Sequence, residues 1–335
     1  MIKKLLVVLA AMMFALSAAA ATNLNGAGAT FPYPIYSKWF SEYHNQHPDV
    51  EINYQSIGSG GGIRQLLAGT VDFGASDGPM TDAQLSEAKI KIYHLPTVLG
   101  AVVPAYNIPG FKGELKFTPA ILAGIFLGRI TAWNDAAIAK ANPGVNLPNQ
   151  AIVVVHRSDG SGTSFIWTDY LSKVSNDWRD SVGKGTSVKW PVGLGAKGNE
   201  GVAGMVRQMD GALGYLELIY ALQNNIPYGP VQNASGQFVK ASLESTTAAA
   251  ASVTNMPADF RVSITNAPGK EAYPISSFTW LLVPAQWSDG NKKRVITDFL
   301  TWMLDSGQGM TQQLHYAPLP KAVAEKVRAR IKEIR

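Results

Sequence analysis

AIVVVHRSDGSGTSFIWTDY, residues 151–170, couples a continuous apolar run to a helical period. Residues 151–155 are apolar without alternation and are bounded by polar residues, which predicts a buried strand. Ile166, Tyr170, Leu171 and Val174 then recur one or two helical turns apart. Between them lies Arg157-Ser158-Asp159-Gly160-Ser161-Gly162-Thr163-Ser164, a turn of hydroxyls and glycines with one fixed positive charge. A helix beginning there has backbone N–H groups without intrahelical acceptors. Small residues let an anion approach those groups, and the helix dipole favours its charge. Arg157 adds a planar fork suited to a tetrahedral oxyanion, and Asp159 is close enough in sequence to hold that fork. Taken alone, the segment also reads as an ordinary strand, turn and capped helix. The same chemistry occurs twice more upstream, and that shifts the balance.

The first recurrence is NGAGATFPYP at 25–34, where glycine and alanine permit close backbone approach and Pro32 or Pro34 fits a first helical turn. Tyr36, Trp39, Phe40 and Tyr43 follow at helical spacing. Residues 50–54 alternate as a strand and run into the second recurrence, IGSGGGIRQLL at 57–67. A short strand at 71–77 ends in Ser76 and Asp77, and a helix is predicted over 81–89. From Leu99 to Ile108 the chain is apolar and extended, with Pro104 and Pro109 arguing against a long central strand. Helices are predicted at 120–127 and 135–140, before the stop signal Asn142-Pro143-Gly144. A further glycine-rich loop at 190–199 leads to a helix at 201–209 and a strand at 213–218. Residues 229–237 suggest a hairpin, and the alanine run 248–251 suits a solvated helix. A buried strand at 277–283 precedes helices at 294–303 and 322–334. This alternation indicates an α/β protein, in which ligands bind beyond the carboxyl ends of the strands.

The amino terminus has Lys3 and Lys4, an apolar run at 5–16 and small residues at 17–21, the pattern of a cleavable signal peptide rather than a membrane helix. The chain contains no cysteine, which excludes a lipid-modified cysteine anchor and any disulfide. An exported, soluble protein is expected. Removing Lys3 and Lys4 takes the formal charge from +5 to +3, without like-charge blocks, so nucleic-acid binding has no footprint. The five histidines, His44, His47, His94, His156 and His315, show no metal spacing, and neither metal nor cofactor is expected.

Gly74-Ala75-Ser76-Asp77-Gly78 fits the G-x-S-x-G nucleophile elbow, and Ser76 with His315 suggests a serine-dependent hydrolase acting on phosphate or other esters. Pro79 disfavours the immediate helix that an elbow needs, and no oxyanion-hole motif precedes it. Ser161 is the other candidate nucleophile, with His156 nearby in sequence. No nucleotide P-loop or G-x-G-x-x-G fingerprint is present. A carboxylate at an anion site repels sulfate but can accept the proton of hydrogenphosphate. Asp77, at a strand end, suits that selective role.

At these residues the chain resembles the periplasmic phosphate-binding proteins of bacterial ABC phosphate transporters. The resemblance rests on GAGATFP at 26–32, QSIGSGGG at 55–62, VDFGASD at 71–77, RSDGSGTSF at 157–165 and VKWPVGLGAKGN at 188–199. It implies a two-lobed periplasmic-binding-protein fold, type II-like, each lobe a central mixed sheet flanked by helices, with the ligand in the interlobe cleft and no chemistry performed. The implied division is a signal peptide at 1–21, a discontinuous first lobe at 22–105 and 273–335, and a second lobe at 106–272. The implied phosphate contacts are Thr30, Phe31 (through its backbone), Ser59, Asp77, Arg157, Ser161, Gly162 and Thr163, with Asp159 orienting Arg157. The implied partners are inorganic phosphate and an inner-membrane ABC permease with its ATPase, served by a periplasmic monomer. His156, where a larger basic residue is expected, and the segment 228–270 depart from the pattern. An extracellular surface protein without a transport role is the other alternative.

Overall fold

The computed structural model describes residues 21–252 and 255–335, so residues 1–20 of the expected signal peptide lie outside the described residues. The first half comprises β1 (Thr22–Gly28), α1 (Tyr33–Gln46), β2 (Val50–Ser56), α2 (Ser59–Ala68), β3 (Phe73–Ser76), α3 (Asp82–Glu87), β4 (Ile92–Tyr106), α4 (Pro119–Phe126) and α5 (Ala136–Ala141). Then come β5 (Val153–Arg157), α6 (Gly162–Val174), α7 (Asn176–Ser181), β6 (Leu194–Ala196), α8 (Gly198–Gln208), β7 (Ala212–Glu217) and α9 (Leu218–Gln223). The hairpin β8 (Val231–Gln232) and β9 (Phe238–Val239) precedes α10 (Leu243–Ala251), β10 (Ser276–Pro284) and α11 (Gly290–Asp305). A 3-10 turn (Gly307–Leu314) and α12 (Lys321–Ile331) finish the described chain. Among the described residues no helix is long and apolar enough to cross a membrane.

Eight strands form one mixed sheet in the order β2-β1-β3-β10-β4-β7-β5-β6. β4 organises it. Its first part, Ile92 to Ala101, pairs with β10, and its last part, Val102 to Tyr106, pairs with β7. β3 is antiparallel to β10, as β4 is, so β1, β2 and β3 run in the same direction as β4. β5, β6 and β7 run against it. β3 ends at Ser76, level with Trp280 and hence with Pro96 on β4, while β7 ends at Glu217, level with Val102. The carboxyl ends of both strand sets therefore converge on residues 96–102 of β4. That convergence creates the site.

The predicted aromatic stripe of α1, Tyr36, Trp39, Phe40 and Tyr43, is buried, with Phe40 against Phe73 and both Phe40 and Tyr43 against Phe299. Each such ring contributes on the order of 2–3 kcal/mol through burial. Trp39 also donates its indole N–H to the Gly307 carbonyl at 2.8 Å, tying α1 to the 3-10 turn.

Two sequence readings need correction, and one strand escaped the sequence. β4 is a long central strand in spite of Pro104, and all fifteen of its residues are buried. The N–H groups of Val102 and Tyr106 point away from β7, toward Ile275 O and Pro227 O. Pro104 has the same parity, so its missing donor costs the β4–β7 ladder nothing. Pro96 sits at a register shift opposite Thr279 and Trp280. β1, for which no strand was expected, forms although Asn23, Asn25, Gly26 and Gly28 have low β propensity, because β2 and β3 pair with it on either side. Ala249 and Ala250 of α10 are buried rather than solvated, where the helix packs on β4 and β10. The two expected sheets are present as a β2-β1-β3-β10 set and a β7-β5-β6 set, and β4, which pairs with both, joins them edge to edge.

Candidate functional site

Three turns at strand ends build the site. β1 leads through Gly28 and Ala29 to Thr30 and Phe31, followed by α1 with Pro32 at its cap and Pro34 in its first turn. The Phe31 ring is wholly buried, leaving only its backbone for the site. Tyr220 donates to Thr30 O and Tyr316 to Phe31 O, both at 2.6 Å, so neither carbonyl is left to face an anion unpaired. β2 leads to Gly58, whose φ of +86° favours glycine, and then to Ser59, the first residue of α2. β5 ends at Arg157, and Ser161 caps α6 by accepting the Ser164 N–H at 3.0 Å.

Arg157 is 1% exposed at its side chain. Its Nε donates to Asp159 Oδ1 at 2.7 Å and its Nη2 to Oδ2 at 2.5 Å, a bidentate pair. Its Nη1 reaches Thr163 Oγ1 at 3.3 Å. Three of the five guanidinium N–H groups are thus engaged, and the fork is fixed in orientation. Asp159 also accepts the Gly198 N–H at 3.1 Å. Burial pushes the Asp159 carboxyl up, but the bonds and charge of Arg157 outweigh it and hold the group below the usual carboxylate range. Tyr215 accepts the backbone N–H of Arg157 at 3.1 Å and shares a 2.6 Å hydrogen bond with Ser164, anchoring the strand end to α6.

Asp77 follows β3 and is 1% exposed. Thr279 of β10 donates to its Oδ1 at 2.8 Å, and its backbone N–H donates to Ser59 Oγ at 3.2 Å. Its Oδ2 is buried without a partner. Burial pushes the carboxyl up to about 7, against the Thr279 bond, the Arg157 charge and the nearby Ser59 hydroxyl. A buried acceptor with no donor is costly, and a proton delivered to Oδ2 relieves it. Asp77 does not cap α3: Thr81 does so, in a capping box with Gln84.

The two sides touch. A Cβ on Gly162 would lie 2.4 Å from Ser59 Oγ and 2.5 Å from Asp77 Oδ2, so only glycine fits. Gly60 donates its N–H to Gly160 O at 2.8 Å. Thr30 and Thr163 are linked through Asn199, whose Nδ2 donates to both hydroxyls, at 2.7 and 3.1 Å. The structure thus gathers Thr30, Phe31, Ser59, Asp77, Arg157, Asp159, Ser161, Gly162 and Thr163 into one buried cluster. The sequence reading missed Asn199, Thr279, Tyr215 and Glu217. Thr279 had a signal, a lone hydroxyl inside the apolar run SFTWLLV; Asn199, just after the glycine-rich loop at a helix start, had a weaker one. Glu217 is wholly buried, caps α9 through Ile219 N–H at 2.8 Å, and leaves Oε1 unpartnered; burial holds it well above the usual carboxylate range.

Neither candidate nucleophilic serine, Ser76 or Ser161, has a base among the described residues. Ser76 Oγ donates to Gly78 O at 2.5 Å and accepts Gly78 N–H at 3.2 Å. His94 Nε2 accepts the Met80 N–H, His156 stacks on Trp190 with Nδ1 against Arg157 O, and His315 lies exposed after the 3-10 turn. A nucleophile needs a base within hydrogen-bond reach, and neither Ser76 nor Ser161 has one.

Residues 15–306 match the model of the PBP superfamily domain. The phosphate-binding protein PstS of Xylella fastidiosa is 48% identical over 309 residues, covering 92% of this chain and 84% of that protein. The phosphate-binding protein PstS of Pasteurella multocida is 47% identical over 321 residues, covering 95% of this chain and 92% of that protein. Among solved structures, a high-affinity periplasmic phosphate-binding protein bound with phosphate superposes with a TM-score of 0.74 at 21% identity, over 92% of this chain and 93% of that one. The ancestral soluble variant of the human phosphate-binding protein gives a TM-score of 0.75 at 21% identity, with the same coverage of 92% and 93%. At that identity the structural likeness carries the fold alone.

Proposed function

Because this chain belongs to the PBP superfamily and, within it, to the family of the phosphate-binding protein PstS, we propose that it captures inorganic phosphate and delivers it to an inner-membrane ABC permease and its ATPase. It works in the periplasm as a binding protein, without chemistry. One lobe comprises residues 22–105 and 273–335, the other residues 106–272, and phosphate lies where their strand ends converge. The observation that carries this reading is the pairing of a pinned cation with a buried, unpartnered carboxylate oxygen in one cluster. The remaining N–H groups of Arg157 meet the phosphate charge. Helix starts at Phe31, Ser59 and 161–163 add N–H groups and hydroxyls, and Asp77 Oδ2 accepts the phosphate proton. Burial strengthens each of these bonds and makes an unpaired one expensive, so a fully ionised anion is rejected.

Calorimetric titration of unfolded, stripped and refolded protein with phosphate and then sulfate tests the reading. Tight one-to-one phosphate binding with little or no sulfate heat at pH 8 is expected. Equal binding of both anions removes the role of Asp77, and binding of neither overturns the proposal.

A further inference from the structure

Asn199, the second residue of α8, is wholly buried and bridges two hydroxyls that come from opposite sides of the cluster. Its Oδ1 accepts the backbone N–H of Glu217 at 3.0 Å. That N–H can only donate, so the amide has one allowed orientation and its NH2 must face the threonines. One N–H goes to Thr30 Oγ1 at 2.7 Å and the other to Thr163 Oγ1 at 3.1 Å. Thr30 Oγ1 accepts a second bond, from Asn199 N–H at 3.2 Å, and Thr163 Oγ1 accepts a second from Arg157 Nη1 at 3.3 Å. A hydroxyl has two acceptor lone pairs and one proton. Both lone pairs of both threonines are therefore committed to N–H donors, and each hydroxyl can act toward anything else only as a donor.

We infer that Asn199 is a specificity-determining positioning residue that locks Thr30 and Thr163 as hydrogen-bond donors. The inference rests on the phosphate-binding reading above. The two hydroxyls donate only to unprotonated ligand oxygens, and the ligand proton is directed to Asp77 Oδ2 rather than to either threonine. Asn199 itself supplies no charge; it sets the polarity of groups on both sides. Without the amide each hydroxyl keeps one N–H donor and regains one free lone pair, so it can accept as well as donate and admits ligands with protons in the wrong place.

The test is a double-mutant cycle read as phosphate affinity by calorimetry, with circular dichroism and the ligand-free unfolding midpoint confirming the fold of each variant. Thr30→Val and Thr163→Val each weaken phosphate binding at least tenfold if the hydroxyls are ligand donors. Asn199→Ala weakens it at least tenfold in the parent, but less than threefold in the Thr30→Val, Thr163→Val background, because its targets are gone. Should Asn199→Ala fail to fold, Asn199→Ser, which keeps a polar group, is carried through the same cycle. If the threonine variants bind like the parent, the site assignment itself fails, and the inference with it. If they weaken binding while the loss from Asn199 persists unchanged in their background, the phosphate reading stands and the donor-locking role is overturned. Parent-like affinity in a folded Asn199 variant also overturns it.

Discussion

Asp77→Asn separates a proton-accepting role from a merely structural one. In the parent, Oδ1 is held by Thr279, Oδ2 is buried without a partner, and the carboxyl titrates at about 7. Sulfate brings no proton at neutral pH, so it enters only when Asp77 is already protonated. Above pH 7 the protonated fraction falls tenfold per pH unit, which is about 1.4 kcal/mol each. Sulfate affinity should therefore be flat below about pH 6 and roughly 100-fold weaker at pH 9, a loss near 3 kcal/mol. An asparagine keeps the acceptor for Thr279 and places an NH2 donor where Oδ2 stood. Its sulfate affinity should show no such slope, so parent and variant diverge by about 100-fold at pH 9. Phosphate, whose hydroxyl can be replaced by an accepted bond from the amide, should change by less than about tenfold. Competition titration with sulfate from pH 6 to 9 measures both curves. A flat parent curve, or the same slope in both proteins, refutes the reasoning.

Arg157→Ala removes a buried bidentate cation and leaves Asp159 unpaired, so phosphate affinity should fall by about 2–5 kcal/mol, measured by calorimetry; parent affinity would show that the fork faces nothing. Gly162→Ala inserts a Cβ 2.4 Å from Ser59 Oγ and 2.5 Å from Asp77 Oδ2, forcing the two sides apart. The helix tolerates alanine, so the fold should persist while phosphate affinity falls at least about tenfold and small-angle scattering shows a more open molecule. Asp77 also couples ligand-free stability to pH. Its folded carboxyl titrates at about 7 against an ordinary 3.8, so the folded state holds a proton that the unfolded state releases between those values. Stability falls as pH rises through that window, by up to roughly 4 kcal/mol. Urea unfolding at pH 4 and pH 8 should show a loss in the parent that is smaller in Asp77→Asn by about this amount, the remainder coming from groups such as buried Glu217.

The helix starts were legible in the sequence because capping is local chemistry. Pro32, Ser161 and Thr81 act within three or four residues of themselves, and Arg157 finds Asp159 two positions away. The aromatic stripe of α1 and the apolar run of β10 were legible through periodicity. The buried state of Asp77, with one oxygen unpartnered, was not, because Thr279 approaches from 202 residues downstream. Nor was the polarity of the threonine hydroxyls, which depends on an asparagine 169 residues from Thr30. Local propensity left β1 unseen and misjudged β4, since pairing on both sides of β1 and the parity of Pro104 along β4 are properties of the assembled sheet. Sequence alone determined which groups can meet an oxyanion. The folded sheet decided which of their lone pairs and protons are left to do so, because hydrogen bonds between distant strands use up the rest.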